Sequence, residues 1–356
     1  MQIIKLRSFL LGIIACILFV SCNNRSGNDK PSGVTFVSRE VDNAIDVKID
    51  GKLFTTFCWP ENVYKPVLYP VYTSAGTEIT RGFPLNPRMG ERNDHMHHIG
   101  IWFNYGNVNG FDFWNNGNGG KRIAKGGEIK HLRIERLSSK KGEGYFVSAE
   151  SWIDTAGMEL LKERTEYHFS ANGETRIIDR ITTLTAGDST VLFKDIKEGM
   201  LAIRVARQLE LPSKEAVVLT DSLGNELPER DTLNTGVSGN YLSSEGITGD
   251  AVWGTRAKWM ELTGIIGTER ISIVICDHPK NPGYPTYWHA RGYGLFAANP
   301  LGWNDFTNGK ETFNFSLPAN KSVTFRYRLV VRSGSQPTDD EINGYSEDFG
   351  KKYKRK

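Results

Sequence analysis

Residues 145–184 read YFVSAESWIDTAGMELLKERTEYHFSANGETRIIDRITTL. Tyr145 to Ile153 alternates apolar and polar side chains, and Lys162 to Phe169 does the same. Thr175 to Leu184 is a β-branched run, and Asp, Asn and Gly separate the three segments. A period of two belongs to a strand, whose successive side chains point to opposite faces of a sheet. Three such segments in forty residues, joined by turn residues, predict antiparallel strands with one face on a core.

The same texture continues outward. Arg270–Cys276, Thr312–Leu317 and Ser322–Val331 are further β-branched or aromatic runs bounded by turn residues. Helical periodicity is scarce. Pro337-Thr338-x-x-Glu341 opens a helix over 338–349 with a capping box, and a second short helix is expected near Lys197 to Arg207. The prediction is an all-β fold, a large two-sheet β-sandwich with few short helices. No Pro/Ser-rich linker splits residues 35–335, so they read as one domain, followed by a short helix and basic tail over 336–356.

Composition agrees. The 356 residues are 39% hydrophobic and 24% charged, and 8 Trp, 13 Tyr and 18 Phe can fill a large core, which excludes wholesale disorder. A mean hydropathy of −0.39 with 37 glycines does not fit a helical membrane protein. The formal net charge of +3 is carried by the ends: Lys5 and Arg7 near the start, and five bases in the closing KKYKRK. Without them the chain is net acidic. A nucleic-acid partner, which wants a basic stripe on the folded domain, is not expected.

Lys5 and Arg7 precede an apolar run from Phe9 to Val20, and Ser21-Cys22 follows. A charged start, a short apolar stretch and a small residue before the cut describe an export signal. The run is too short for an ordinary bilayer span. Cys22 directly after it predicts a lipoprotein: signal peptide 1–21, lipidation at Cys22, and a flexible tether over 22–34. The expected location is the bacterial cell envelope, facing the periplasm or on the outer-membrane surface, with the membrane as partner through the lipid. Cys58 and Cys276 then remain, each in an apolar run, as buried thiols or a single disulfide.

The histidines are unevenly placed. Asp94-His95-Met96-His97-His98 holds three, and Asp277-His278 and Trp288-His289-Ala290-Arg291 lie far downstream. Read as a strand, 94–98 would put His95 and His97 on one face and His98 on the other. Imidazole moves protons near neutral pH and ligates metals. His97 and His278 are the expected proton-transfer or ligand pair, with His95, His98 and His289 beside them. His131 and His168 read as structural. A divalent metal ion, if one binds, would take His95, His97 and His278. Two loop-like stretches, 104–120 and 281–303, mix aromatics with Asn, Asp and Gly, which suits a sugar's apolar faces and polar edges equally with anchored loops. Arg81, Arg204 and Arg291 offer donor forks for an oxygen or carboxylate. Glu198 and Asp277 are the expected carboxylates, Asn104 and Asp112 further polar contacts, and Trp102 or Trp114 the stacking platform.

Several segments resemble one bacterial family. KPVLYP at 65–70, EITR at 78–81, DHMHHIGIWFNYGNVNGFDFW at 94–114, Lys197-Glu198-Gly199, Trp253-Gly254, Asp277-His278-Pro279 and YWHARGYGLFAANPLG at 287–302 are similar to the family labelled "PmoA", otherwise a domain of unknown function. Met96 and Ile99 replace the family's Pro and Arg. The resemblance implies a sandwich of the sugar-mutarotase type and carbohydrate work. The label itself implies a copper-dependent methane oxygenase. From these readings the expected function is a carbohydrate-active enzyme, an epimerase, lyase or hydrolase using histidine acid/base or metal-assisted chemistry. A non-catalytic glycan-binding lipoprotein is the alternative. The ligand in both is a sugar or glycan.

Overall fold

The computed structural model describes residues 33–117, 119, 121–140 and 142–353. The export signal, Cys22 and nearly all of the tether lie outside the described residues, as do the last three bases. The strands in chain order are β1 (Val34–Arg39), β2 (Ala44–Ile49), β3 (Lys52–Cys58), β4 (Val67–Val71), β5 (Ile101–Tyr105), β6 (Glu128–Lys140), β7 (Glu143–Ile153), β8 (Glu159–Asn172), β9 (Thr175–Ala186) and β10 (Val191–Leu192). There follow β11 (Gly199–Arg204), β12 (Val217–Thr220), β13 (Glu226–Asp231), β14 (Asn240–Ser243), β15 (Trp259–Ile266), β16 (Glu269–Asp277), β17 (Tyr287–Arg291), β18 (Leu295–Asn299), β19 (Ser316–Leu317) and β20 (Ser322–Ser333).

Two large antiparallel sheets carry the fold, in the orders β1-β2-β3-β4-β5-β11-β18-β17 and β14-β15-β16-β20-β9-β8-β7-β6. The main core lies between them, with Phe57, Phe103, Leu201 and Phe296 of the first sheet and Phe146, Ile178, Leu262 and Leu329 of the second in one cluster. In β8 the expected alternation is visible: Leu161, Thr165, Tyr167 and Phe169 are buried, and Lys162 and Arg164 are exposed. The sandwich expectation therefore holds.

Each sheet also has a covered outer face. On the first, Trp102, Ala202, Leu295 and Ala297 pack with Trp114, Cys58 and Val67. On the second, Trp259, Val274, Cys276 and Val330 pack under helix α2 (Asp339–Lys351) through Ile342 and Phe349. Helix α1 (Trp303–Phe306) is a single turn. The capping box that opens α2 forms as expected, with Thr338 accepting from the Glu341 amide and the Glu341 carboxylate accepting from that of Thr338. Cys58 and Cys276 belong to different outer faces and are free thiols, each pushed up to about 12, chiefly by burial.

Three expectations need correction. The helix near Lys197–Arg207 is instead β11, an interior strand of the first sheet between β5 and β18, with a 3-10 turn at Arg207–Leu209. Buried on both faces, β11 carries no alternation to mark it as a strand. The strand expected over Thr312–Leu317 shortens to β19, only two residues. The aromatic stretch 281–303 is largely the hairpin β17–β18, and Trp288 points into the main core.

Candidate active site

The site is built on the outer face of the first sheet. Strand register sets Trp102, Ala202, Ala297 and His289 in one row across β5, β11, β18 and β17. The next row holds Arg204, Leu295 and Arg291. Their chain neighbours Phe103, Ile203, Phe296 and Ala290 face the main core, because side chains alternate along a strand. Two alanines in the middle of the first row keep the floor low, so a loop can settle on it. The loop that does so is 94–98.

This segment is a turn and not the expected strand. The His98 amide donates to the His95 carbonyl (2.9 Å), and His95 takes a left-handed backbone (φ 46°), unusual for a side chain without glycine's freedom. Arg81 holds the turn in place. It donates to the carbonyls of Asp94 (2.6 Å), His95 (2.8 Å), His98 (3.1 Å) and Arg92 (3.3 Å). Gly100 then leads into β5 with φ +55°, where a Cβ would collide with the Leu68 carbonyl. Arg81, expected as a substrate contact, is spent on the loop.

Asp94 is the hub. One oxygen accepts from Arg204 (2.6 Å) and Arg81 (3.0 Å); the other accepts from Nδ1 of His95 (2.7 Å). Burial alone would raise this carboxyl, but Arg204, the His95 ring and Arg81 together hold it well below the ordinary carboxylate range. An ionised carboxylate only accepts, so Nδ1 of His95 carries a hydrogen, and in the neutral ring Nε2 has the lone pair. The ring is 40% exposed and lies parallel to Tyr293 (5.0 Å) and His98 (4.8 Å). An imidazole fixed in tautomer and orientation by a carboxylate, with its other nitrogen open, can take and return a proton.

The remaining imidazoles differ. Nδ1 of His98 faces a guanidinium nitrogen of Arg204 (3.4 Å), which can only donate, so His98 is neutral with its hydrogen on Nε2. Burial, with cationic neighbours, holds it well below its ordinary value. That Nε2, Nε1 of Trp102 and Oδ1 of Asn104 are buried without hydrogen-bond partners among the described residues. His97 is buried edge-on to His98 (4.3 Å), and its carbonyl accepts from Lys65 (2.8 Å), whose ammonium burial lowers to about 7. His289 donates from Nδ1 to the Lys197 carbonyl (3.0 Å), which leaves Nε2 as an acceptor; burial lowers it to about 3, and His95 and Arg291 act on it electrostatically.

His95, His97, His98 and His289 therefore share one face, His98 against the strand expectation that set it on the opposite one, and His278, expected to pair with His97, does not join them. Its Nε2 meets the Lys352 carbonyl (3.0 Å) and its ring packs on Phe349 of α2, over the second sheet. Asp277 is likewise structural: it accepts from the amides of His278 (2.9 Å) and Thr286 (2.8 Å) and from Asn281 (2.7 Å). The expected ligand set His95, His97 and His278 is thus not assembled, and among the described residues no group of three or more His, Cys, Asp or Glu is arranged to hold a metal ion. Asp112 closes a turn on the amides of Trp114 and Asn115, and Asn104 donates to the Phe113 carbonyl (2.6 Å). Trp102 and Trp114 are buried against each other (5.3 Å) and present no open face.

Open ground adjoins Tyr293. A cleft of about 370 Å³ is lined by Arg92, Trp253, Arg291 and Tyr293 among others. Glu198, paired with Lys197 (2.8 Å), acts on Tyr293 electrostatically with Asp94, Arg204 and Arg291. Asp94, Lys65 and Tyr293 were not among the residues expected from sequence. The Asp94-His95 adjacency was the available signal, masked by reading the segment as a strand. Nothing local marks Tyr293, which is brought to His95 by the β17–β18 hairpin.

These features define a class: a two-sheet, all-β sandwich with an Asp–His pair clamped by two arginines on one outer face. Within it, the chain belongs to the family of unknown function DUF6807, whose profile matches residues 44–347. No curated protein sequence matches it. Among solved structures it is similar to an α-galactosidase from Lactobacillus brevis (11% identity, TM-score 0.38), covering 85% of this chain and 39% of that one. It is also similar to a putative aldose 1-epimerase from Escherichia coli (10%, TM-score 0.33; 85% and 99%) and a galactose 1-epimerase from Lactobacillus acidophilus (9%, TM-score 0.30; 85% and 99%). The chain thus spans about two fifths of the α-galactosidase's length and almost all of the epimerases'.

Proposed function

We propose that the protein is a carbohydrate-active enzyme that moves a proton on its substrate, with His95 as the base. One observation carries the reading: the His95 ring is 40% exposed and its Nε2 makes no hydrogen bond among the described residues, while Nδ1 is tied to a carboxylate that two arginines hold ionised. When Nε2 takes a proton, the imidazolium is stabilised by Asp94 at 2.7 Å. Arg81 and Arg204 keep Asp94 from taking the proton itself. The protonated ring then returns it, to carbon in an epimerisation or to a departing oxygen in an elimination or hydrolysis. The mixture of aromatic and polar groups around the cleft supports a sugar as substrate.

A panel of sugars and glycosides incubated in D2O and followed by proton NMR tests this. Epimerisation through carbon deprotonation exchanges that hydrogen for deuterium, elimination replaces it with a double bond and a vinylic signal, and hydrolysis releases a reducing end. His95→Asn should abolish whichever signal appears. If the wild type binds a sugar, turns over none, and His95→Asn binds equally well, the protein is a glycan-binding module. The export signal and Cys22 support a lipid-anchored protein of the cell envelope. Cys22→Ser should release it or leave the precursor uncleaved, and a variant that fractionates with membranes at the mature size would refute the anchor.

A further inference from the structure

The cleft beside Tyr293 contains donors that the fold leaves unused. The guanidinium of Arg291 makes no hydrogen bond among the described residues and lies over the rings of Trp253 (5.6 Å) and Tyr293 (6.0 Å) at the cleft wall. Arg92, on the same cleft, gives its Nε to Glu210 (2.7 Å), while its two terminal nitrogens have no partner among the described residues. Nε1 of Trp253 is also buried without a partner. Each of these groups only donates. Two guanidinium forks and an indole N–H lining one cleft are matched by an acceptor with several lone pairs and a negative charge.

The acidic groups on the same wall point to the rest of the ligand. Glu215 lines the cleft, and Asp250 uses one oxygen on the Gly292 amide (3.1 Å), which leaves the other to accept. Carboxylates accept hydroxyl hydrogens well, and the faces of Tyr293 and Trp253 suit C–H surfaces. About 370 Å³ is within the range of small-molecule sites, roughly 300–1,000 Å³. A polyhydroxylated anion satisfies all three sets of groups together.

We infer that the cleft takes an acidic sugar, a uronate whose carboxylate is bound by Arg291 and Arg92 while its hydroxyls meet Glu215 and Asp250. This rests on the reading that the site beside His95 acts on a carbohydrate.

Saturation-transfer NMR and calorimetry with glucuronate, galacturonate, glucose, galactose and glucose 6-sulfate provide the test, on the wild type, Arg291→Gln, Arg291→Lys and His95→Asn. A uronate should bind about tenfold more tightly than the matching neutral sugar, the gap expected of one charge-assisted fork. Arg291→Gln should erase that gap, and Arg291→Lys should restore only part of it. Added salt should weaken the uronate more than glucose. Arg291 is exposed, so its replacement leaves the fold intact. Equal affinity for acidic and neutral sugars, or tighter binding of the sulfate ester, overturns the inference. If a neutral sugar is then turned over through His95, the proposed function survives without it. If no sugar binds, both fail.

Discussion

The chain contains two Asp-His pairs in sequence, Asp94-His95 and Asp277-His278, and they do opposite things. In the first, Asp94 accepts from its neighbour's ring, and both arginine contacts fall on the same carboxylate. In the second, Asp277 accepts from its neighbour's backbone amide, and the ring turns away to the Lys352 carbonyl beneath α2. The first carboxyl is held low by two guanidinium groups and the ring. The second is buried with only amide donors close by and is pushed up to about 7. A dipeptide is therefore not a site. What makes one is whether the fold supplies a counter-charge for the acid and an opening for the ring.

The sharpest break of this comparison is kinetic. His95→Asn should lower turnover by about 10²–10⁴-fold, the usual contribution of a general base, whereas His278→Asn should leave it within about twofold. Comparable losses from both would mean that the ring under α2 matters to the chemistry after all. Next in size is stability. Asp94→Asn leaves Arg81 and Arg204 buried side by side without their shared carboxylate, and should cost about 3 kcal/mol in urea unfolding. Asp277→Asn replaces one of two accepting oxygens by an NH2 that faces an N–H donor, and should cost about 2 kcal/mol.

The pH dependence of the two acids should have opposite sign. Asp94 is depressed in the folded state, so its contribution is complete above its unfolded value and is lost as the pH falls through its folded one. Asp277 is raised from 3.8 to about 7, so the native state holds a proton that the unfolded chain has released. Its contribution is complete below 3.8 and declines as the pH rises towards about 7. Unfolding free energies measured across that window should fall less steeply in Asp277→Asn than in the wild type. An unchanged slope would show that Asp277 is ionised in the fold. The smallest effect is Thr338→Ala, which removes the cap of α2 at a cost of about 1 kcal/mol and should loosen the ground around His278 without touching turnover.

Much of the architecture was legible because it is written at short range. Alternation along Lys162–Phe169 reports a strand with one buried face, whereas β7, which alternates in sequence, is buried on both; Thr338-x-x-Glu341 reports a helix start whose two bonds span three residues. The strand β11 was not legible, since Gly199–Arg204 is buried on both sides and a continuous apolar run reads equally as a helix. Within the candidate site, the cluster at 95–98 and its partnership with His289 were visible as composition. The arrangement inside it was not: the turn leaves the His95 ring 40% exposed and buries His97, the residue expected to lead.

The sequence by itself determined the sandwich, the buried state of the two thiols, and the concentration of imidazoles, arginines and aromatics in a few segments. Periodicity, capping and burial depend on neighbours within a few residues, so they survive being read along a line. Tertiary structure alone decided which groups meet. Arg81, Asp94, Arg204 and Tyr293 converge because β11 and the β17–β18 hairpin sit on the same sheet as β5, with alanines at 202 and 297 leaving room for the turn above them. The ionised state of Asp94 follows from that convergence, since Arg204 lies 110 residues away, and the tautomer of His95 follows from the ionised Asp94.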